Sequence, residues 1–208
     1  SRRIHRLDGV ILSHADVDHF NLLPELLSRF SIDRVYANQA FIESRDESVR
    51  RLLRTLKTLR LPLVAVSTGD CLLQGVDGLS GCVLFPIQLD GTSDNGNSLV
   101  LLVRYQSRSL LLPGDLDGSA LDQFMTEFQF PIDVVMAPHH GSATTDPAGF
   151  SNWYSAQWMI VSGGRKPSET MTGATRPHVF HTRKHGAVEV TIRNGKVDVT
   201  PFLQPVVP

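Results

Sequence analysis

The sequence predicts a layered α/β fold, on two observations: short apolar strands alternate with amphipathic helical stretches, and hairpin signals interrupt that alternation. Together they argue against an all-α bundle and against a pure β-barrel. The 208 residues suit a single domain, residues 1–208, with hydrophobic residues at 41% and charged residues at 20%. No apolar run reaches the roughly 18 residues that a membrane-spanning helix needs. The chain opens on Ser-Arg-Arg rather than Met and reads as a fragment of a longer protein. A formal net charge of -1 excludes a strongly basic nucleic-acid domain on global charge alone.

Residues 7–12 predict a buried strand that runs straight into 14-HADVDH-19. Residues 20–30 predict a helix, with Pro24 tolerated in its first turn because a proline there removes no needed amide donor. Residues 32–37 alternate as a second strand. Ser44-Arg45-Asp46-Glu47 resembles a capping box and opens a helix with an apolar stripe of Val49, Leu52, Leu53, Leu56 and Leu59, which Pro62 stops. Short strands broken by glycine fill residues 63–85, and 90-DGTSDNGN-97 is a polar loop. Residues 98–105 and 108–112 form a hairpin over Gln106-Ser107. Residues 116–130 hold a helix with Leu121, Phe124, Met125 and Phe128 on one face, and residues 132–137 and 158–162 are buried strands. Residues 163–177 form a loop. Asn194-Gly195 closes a last hairpin between residues 189–192 and 196–200. Cys71 and Cys82 lack metal-ligand spacing and read as two small buried hydrophobes rather than a disulfide.

Three predicted strands end in histidine or aspartate: HADVDH after the first, Asp115 after the hairpin, and His139-His140 after residues 132–137. Ligands carried at the tips of rigid strands are how a preorganised site is built. A tight turn in HADVDH can aim His14 and Asp16 at one point and Asp18 and His19 at a second, which suits a two-metal site. Taken singly, each element has a plainer reading: a polar turn, a helix N-cap at Asp115, a capped turn at His139-His140. Their joint placement at strand ends makes the metal site the better one.

HADVDH resembles the HxHxDH signature of the metallo-β-lactamase superfamily, with Asp16 where many members carry His, and LLLPGD resembles the segment that supplies a bridging Asp, here Asp115. The order HADVDH, Asn97-Ser98-Leu99-Val100-Leu101, LLLPGD, Ala137-Pro138-His139-His140-Gly141-Ser142 and GAVEV is similar to the C-terminal hydrolase-like domain of ComEC-type DNA-uptake proteins. The resemblance implies an αββα sandwich. Two departures stand out. The family's opening strands with GQGD and Asp-Thr-Gly are absent, so the sandwich is expected to lack its first one or two strands. No Gly-His-Pro precedes the last hairpin, and His178 and His181 lie near that place but out of pattern.

The expected metal ligands are His14, Asp16, Asp18, His19, Asp115 and His139, holding two divalent ions. The oxygen-rich set favours Mn²⁺, with Zn²⁺ or Mg²⁺ as alternatives. Asp18, Asp115 and His140 are the expected catalytic residues: Asp115 bridging the metals, Asp18 orienting water, and His140 protonating a leaving oxygen or holding a phosphate. Ser142, Arg165 and Lys166 are candidate substrate contacts. The resemblance implies a nuclease or phosphodiesterase acting on DNA, with no small organic cofactor. It also implies a soluble segment tethered to the bacterial plasma membrane, on its outer side, through the rest of a membrane-embedded uptake protein. Arg50, Arg54 and Lys57, with Arg51 and Arg60, offer either a non-specific contact to the DNA backbone or an ordinary solvated helix face, as do Arg176, Arg183 and Lys184 elsewhere. The rival readings are a metallo-hydrolase of small esters, lactones or amides, and a weakly active structural or DNA-guiding domain. A compact apolar pocket would favour the former, and the lack of Gly-His-Pro the latter.

Overall fold

The computed structural model describes residues 4–73, 77–89, 93–145, 149–150, 153, 156–163 and 178–203. Among these residues the strands β2 (Val10–Ile11), β4 (Val35–Ala37) and β5 (Leu63–Ala65) form an all-parallel sheet. A second, seven-stranded sheet contains β6 (Cys71–Leu73), β7 (Leu79–Phe85), β8 (Val100–Tyr105), β9 (Arg108–Leu112), β10 (Val134–Met136), β11 (Trp158–Val161) and β12 (His178–His181), in the order 12-11-10-9-8-7-6. The strands from β6 to β9 are antiparallel neighbours, and those from β9 to β12 run parallel. A short parallel pair, β1 (Arg6–Leu7) with β3 (Ser31–Ile32), and the hairpin β13 (Val188–Arg193) with β14 (Lys196–Pro201) complete the strands. The expected single strand over residues 7–12 is thus two short ones, parted at Asp8-Gly9.

Three apolar clusters separate the layers, and the two-residue side-chain period of a strand decides which residue enters which cluster. Val35 and Ala37 point outward to helices α1 (Leu23–Arg29), α2 (Gln39–Ile42) and α3 (Glu47–Thr58), where Leu23, Phe41, Val49, Leu52 and Leu56 are buried. Tyr36, between them, faces the other sheet and joins Val83, Leu101, Val103 and Leu112. Val100, Leu102 and Leu111 point to the far side, against helix α4 (Gly118–Glu127), with Leu121 and Phe124. The stack therefore reads helices, sheet, sheet, helix, the αββα sandwich. A bulge sharpens this sorting. Between Val83 and Phe85 the register with β8 shifts, so two residues of the same parity enter different clusters.

Both predicted hairpin turns are present. Gln106 and Ser107 take φ of 49° and 62°, and Asn194 and Gly195 take 51° and 69°, the left-handed pairs that match the twist of the flanking strands. Helix ends differ more. The cap of α3 is Asp46, whose carboxylate accepts from the Ser48 and Val49 amides, while the Ser44 hydroxyl accepts from the Asp46 amide instead. Leu59 lies past the end of that helix and is 57% exposed, so the stripe stops at Leu56. The predicted helix over 116–130 is confined to α4.

The cysteines correct a second expectation. Cys71 and Cys82 lie directly opposite on β6 and β7 and form a disulfide, and Cys71 is exposed rather than buried. Cross-strand neighbours bring two β-carbons within bonding reach, which spacing in the sequence does not reveal. The loop it closes is short (sequence separation 11). Replacing both cysteines by serine is expected to lower unfolding free energy by about 2–3 kcal/mol, by removing a constraint on the unfolded chain. Urea unfolding of the double variant against the oxidised protein measures it.

Candidate metal centre

The site lies where β2, β9, β10 and β11 end at one edge of the sandwich, the place where open α/β sheets gather their ligands. After β2 the chain enters a 3-10 turn, Val17–His19, closed by a hydrogen bond from the His19 amide to the Asp16 carbonyl, 3.1 Å. The turn folds the imidazoles of His14 and His19 together, ring centroids 4.2 Å apart. After β9, Gly114 takes φ +61°, and a β-carbon there would lie 3.1 Å from the Ser98 side chain and 3.2 Å from Ser13. Glycine suits both the positive φ and the close approach of three loops, and it delivers Asp115, whose amide donates to the Ser98 hydroxyl at 3.1 Å. After β10, His139 and His140 both adopt left-handed backbone, φ 45° and 55°, a conformation costing roughly 1–2 kcal/mol for each residue with a β-carbon. The His139 amide donates to the Gly114 carbonyl and helps to hold this turn.

Two overlapping triads result, His14-His19-Asp115 and Asp18-His19-His140, and within each the ligand atoms lie within 4.8 Å of one another. The Asp115 carboxylate sits 3.2 Å from His19 Nε2 and 3.3 Å from His140 Nε2, and Asp18 lies 3.9 Å from each of them. His14 and Asp115 are buried, and Asp18 is exposed at the mouth. Burial pushes the Asp115 carboxyl up, but His140 and His19 outweigh it and hold it well below the usual carboxylate range. The same contact to Asp115 raises His19 and His140. His14 is lowered, by burial first and then by His19 beside it.

Do these residues fit a metal ion? His14 Nε2 is fully buried and has no hydrogen-bond partner, a rare and costly condition for a ring nitrogen. His19 Nε2 is likewise buried, and although Asp115 is close, the pair lacks the alignment of a hydrogen bond. Nitrogen and carboxylate atoms that converge on a shared space rather than on each other fit a divalent cation. The His140 Nδ1–H donates to the Ser162 carbonyl at 2.8 Å, so Nε2, 3.3 Å from Asp115, is the atom that carries either a proton or a metal ion.

The adjacent histidines take different places in this geometry. His140 is the one gathered with Asp18 and His19, whereas the His139 Nδ1–H donates to Asp117 at 2.9 Å. The left-handed turn sends the two side chains apart, with ring centroids 6.4 Å from each other. Asp16 is exposed and belongs to neither triad. Ser142 bonds to Thr144, 3.0 Å between hydroxyls, as turn formers do. Arg165, Lys166 and Arg176 lie outside the described residues. Arg54 pairs with Glu47 at 2.6 Å on an exposed helix face. Ser13, Asp117 and the Ser162 carbonyl were not foreseen. Asp117 was findable as the residue before a helix, yet its carboxylate makes no cap bond and turns to His139 and Asn95.

Beside the triads opens a cleft of about 490 Å³ between the two sheets, lined by Ile11, Leu99, Leu101, Leu112 and Met136 below and by Asp18, His19, Asp115 and His140 at the rim.

Comparison with known proteins agrees with the fold. The family described as "Metallo-beta-lactamase superfamily" matches residues 2–192. The chain is 28% identical over 204 residues to ComE operon protein 3 of Bacillus subtilis (strain 168), covering 93% of this chain and 26% of that protein. It is 25% identical over 205 residues to competence protein ComA of Neisseria gonorrhoeae, covering 93% and 26%. The chain thus spans about a quarter of the length of these relatives. Among solved structures, the CmlA beta-hydroxylase E377D mutant superposes with a TM-score of 0.51 at 17% identity, over 76% of this chain and 36% of that one, a likeness of fold alone. With the strand order, the convergent histidines and aspartates and the family match in agreement, the chain belongs to the metallo-beta-lactamase superfamily.

Proposed function

We propose that the chain is a metal-dependent hydrolase that cleaves phosphodiester bonds of DNA, as the nuclease domain of a membrane-embedded DNA-uptake protein. The buried, unpartnered His14 Nε2 beside Asp115 carries the metal-dependent part of this reading. The competence-protein relatives support the substrate. His14, His19, Asp18, Asp115 and His140 hold divalent cations, two of them given the overlapping triads, with Mn²⁺ suited to the mixed imidazole and carboxylate set and Zn²⁺ or Mg²⁺ next. Such ions, when bound, supply Lewis-acid polarisation and lower the pKa of water. The chain's own groups do the rest. Asp115 brings a buried negative charge to the site, and Asp18, exposed at the mouth, orients an incoming water. His139, anchored by Asp117 and free of both triads, stands beside them as a proton carrier for the leaving oxygen.

One observation favours a second substrate class. The cleft under the triads is floored by aliphatic side chains, which suits the apolar part of a small ester, lactone or amide better than a phosphate backbone. The membrane setting is part of the proposal as well. No described helix is long and apolar enough to cross a membrane, and the Cys71–Cys82 disulfide supports an oxidising, extracytoplasmic location.

The test is incubation of the chain with linear DNA, and separately with a chromogenic ester, in Mn²⁺, Zn²⁺ or Mg²⁺, beside Asp18→Ala. The expected result is Mn²⁺-dependent DNA cleavage that falls by about 100-fold or more in the variant, the scale on which positioned catalytic groups act. Ester turnover without DNA cleavage supports the small-substrate class instead. A folded, metal-loaded protein with neither activity points to a DNA-guiding domain.

A further inference from the structure

We infer that Ser13 is a positioning residue whose one hydroxyl sets both His14 and His19 for metal binding. The inference rests on the reading of these two histidines as ligands. Ser13 Oγ lies 3.0 Å from His14 Nδ1 and 3.3 Å from His19 Nδ1, so two imidazoles six and one residues away share a single oxygen. A serine oxygen has two acceptor lone pairs, and it accepts from both rings when each carries its proton on Nδ1. That is the tautomer a ligand needs, because it leaves each Nε2 with a free lone pair, and among the described residues these are the two buried imidazole nitrogens that lack a hydrogen-bond partner. The same hydroxyl therefore accounts for the ring orientation and for the orphaned atoms.

The brace is itself held from both sheets. The amide of Leu12 donates to the Tyr36 carbonyl in the small sheet, 2.9 Å, and the Ser13 carbonyl accepts from the amide of Leu99, just before the large sheet's β8, 2.9 Å. Ser13 also packs where Gly114 leaves no room for a β-carbon. It thus ties the relative position of the sheets to the aim of two ligands. Outer partners of metal-bound histidines fix ring orientation and raise ligand basicity, and losing one typically weakens metal affinity by about 10–100-fold.

The experiment titrates Mn²⁺ and Zn²⁺ into wild type, Ser13→Ala and Ser13→Thr by calorimetry, and records long-range ¹H–¹⁵N imidazole spectra of the metal-free proteins at a pH high enough for the His19 ring to be neutral. Expected are a loss of about 10–100-fold in affinity for Ser13→Ala, near wild-type affinity for Ser13→Thr, and Nδ1–H tautomers of His14 and His19 that Ser13→Ala perturbs. Wild-type affinity in a folded Ser13→Ala protein overturns the inference and leaves the metal centre standing. Equal weakening in Ser13→Ala and Ser13→Thr also overturns it, since volume rather than the hydroxyl would then matter. If wild type binds neither metal, the reading of the centre falls. The spectra then decide the brace alone: unchanged Nδ1–H signals in Ser13→Ala overturn it.

Discussion

Asp115→Asn is expected to weaken divalent metal binding by at least about 100-fold, more than the loss of an outer partner costs. The substitution keeps the shape of the side chain and removes the charge that both triads lean on. Asp115 is the only carboxylate in the first triad and the nearest one to both His19 and His140. A ligand that binds only the folded state stabilises it by about 2.7 kcal/mol at 100 times its Kd. Wild type should therefore melt at a clearly higher temperature when Mn²⁺ is added, and Asp115→Asn should show little shift at the same concentration.

The pH dependence follows from the same contacts. His19 and His140 are raised from 6.5 by Asp115, so in the metal-free protein they retain protons above that pH. Their pairing contributes stability that is full below 6.5 and is lost as pH rises through the raised values. A cation competes with those protons. Metal affinity should consequently climb as pH rises above 6.5, while the metal-free protein loses the histidine contribution over the same window. Calorimetric titrations and melting curves at stepped pH would show the two trends in opposite directions, and a flat affinity would count against His19 and His140 as ligands.

Phe124→Ala is expected to destabilise the fold by about 3–5 kcal/mol, the usual cost of deleting a buried aromatic ring. Phe124 is 0% exposed and touches three aromatic neighbours, with ring centroids at 5.0 Å from Phe128, 5.3 Å from Trp153 and 5.9 Å from Phe85. Removing it leaves a cavity between α4 and the large sheet that these rings fill only in part. The metal triads are on other elements, so Mn²⁺ affinity of the folded variant should stay close to wild type. A ΔΔG below about 1 kcal/mol in urea would mean that the α4 layer packs loosely and that the sheets alone carry stability.

Much of this molecule is legible along the chain. Strand and helix periods sort Val35, Ala37 and Tyr36, or Leu101 and Leu102, onto opposite faces, because a strand alternates whatever it packs on. Turn residues mark both hairpins, because the left-handed pair is a local requirement. The cluster HADVDH, with Asp115 and the histidine pair, announces a metal site because ligands near in sequence need only a tight turn to meet. Other features are decided between distant segments. The disulfide joins β6 and β7, whose antiparallel register places Cys71 directly opposite Cys82. His140 rather than His139 enters the triad because the Gly114 carbonyl and Asp117 hold the left-handed turn in one orientation.

The sequence by itself determined the alternation of strands and helices, the faces that each of them buries and the set of side chains from which a metal centre is drawn, since period and residue chemistry are local properties; the αββα layering it carried only through its family resemblance. Only the tertiary structure decided which of those side chains converge. It left Asp16 outside, turned His139 to Asp117, brought His140 to Asp115, and put the Ser13 hydroxyl between two imidazoles. The reason is physical: aim at the ångström scale depends on backbone bonds such as Leu99 to Ser13 and His139 to Gly114, which link residues far apart in the chain.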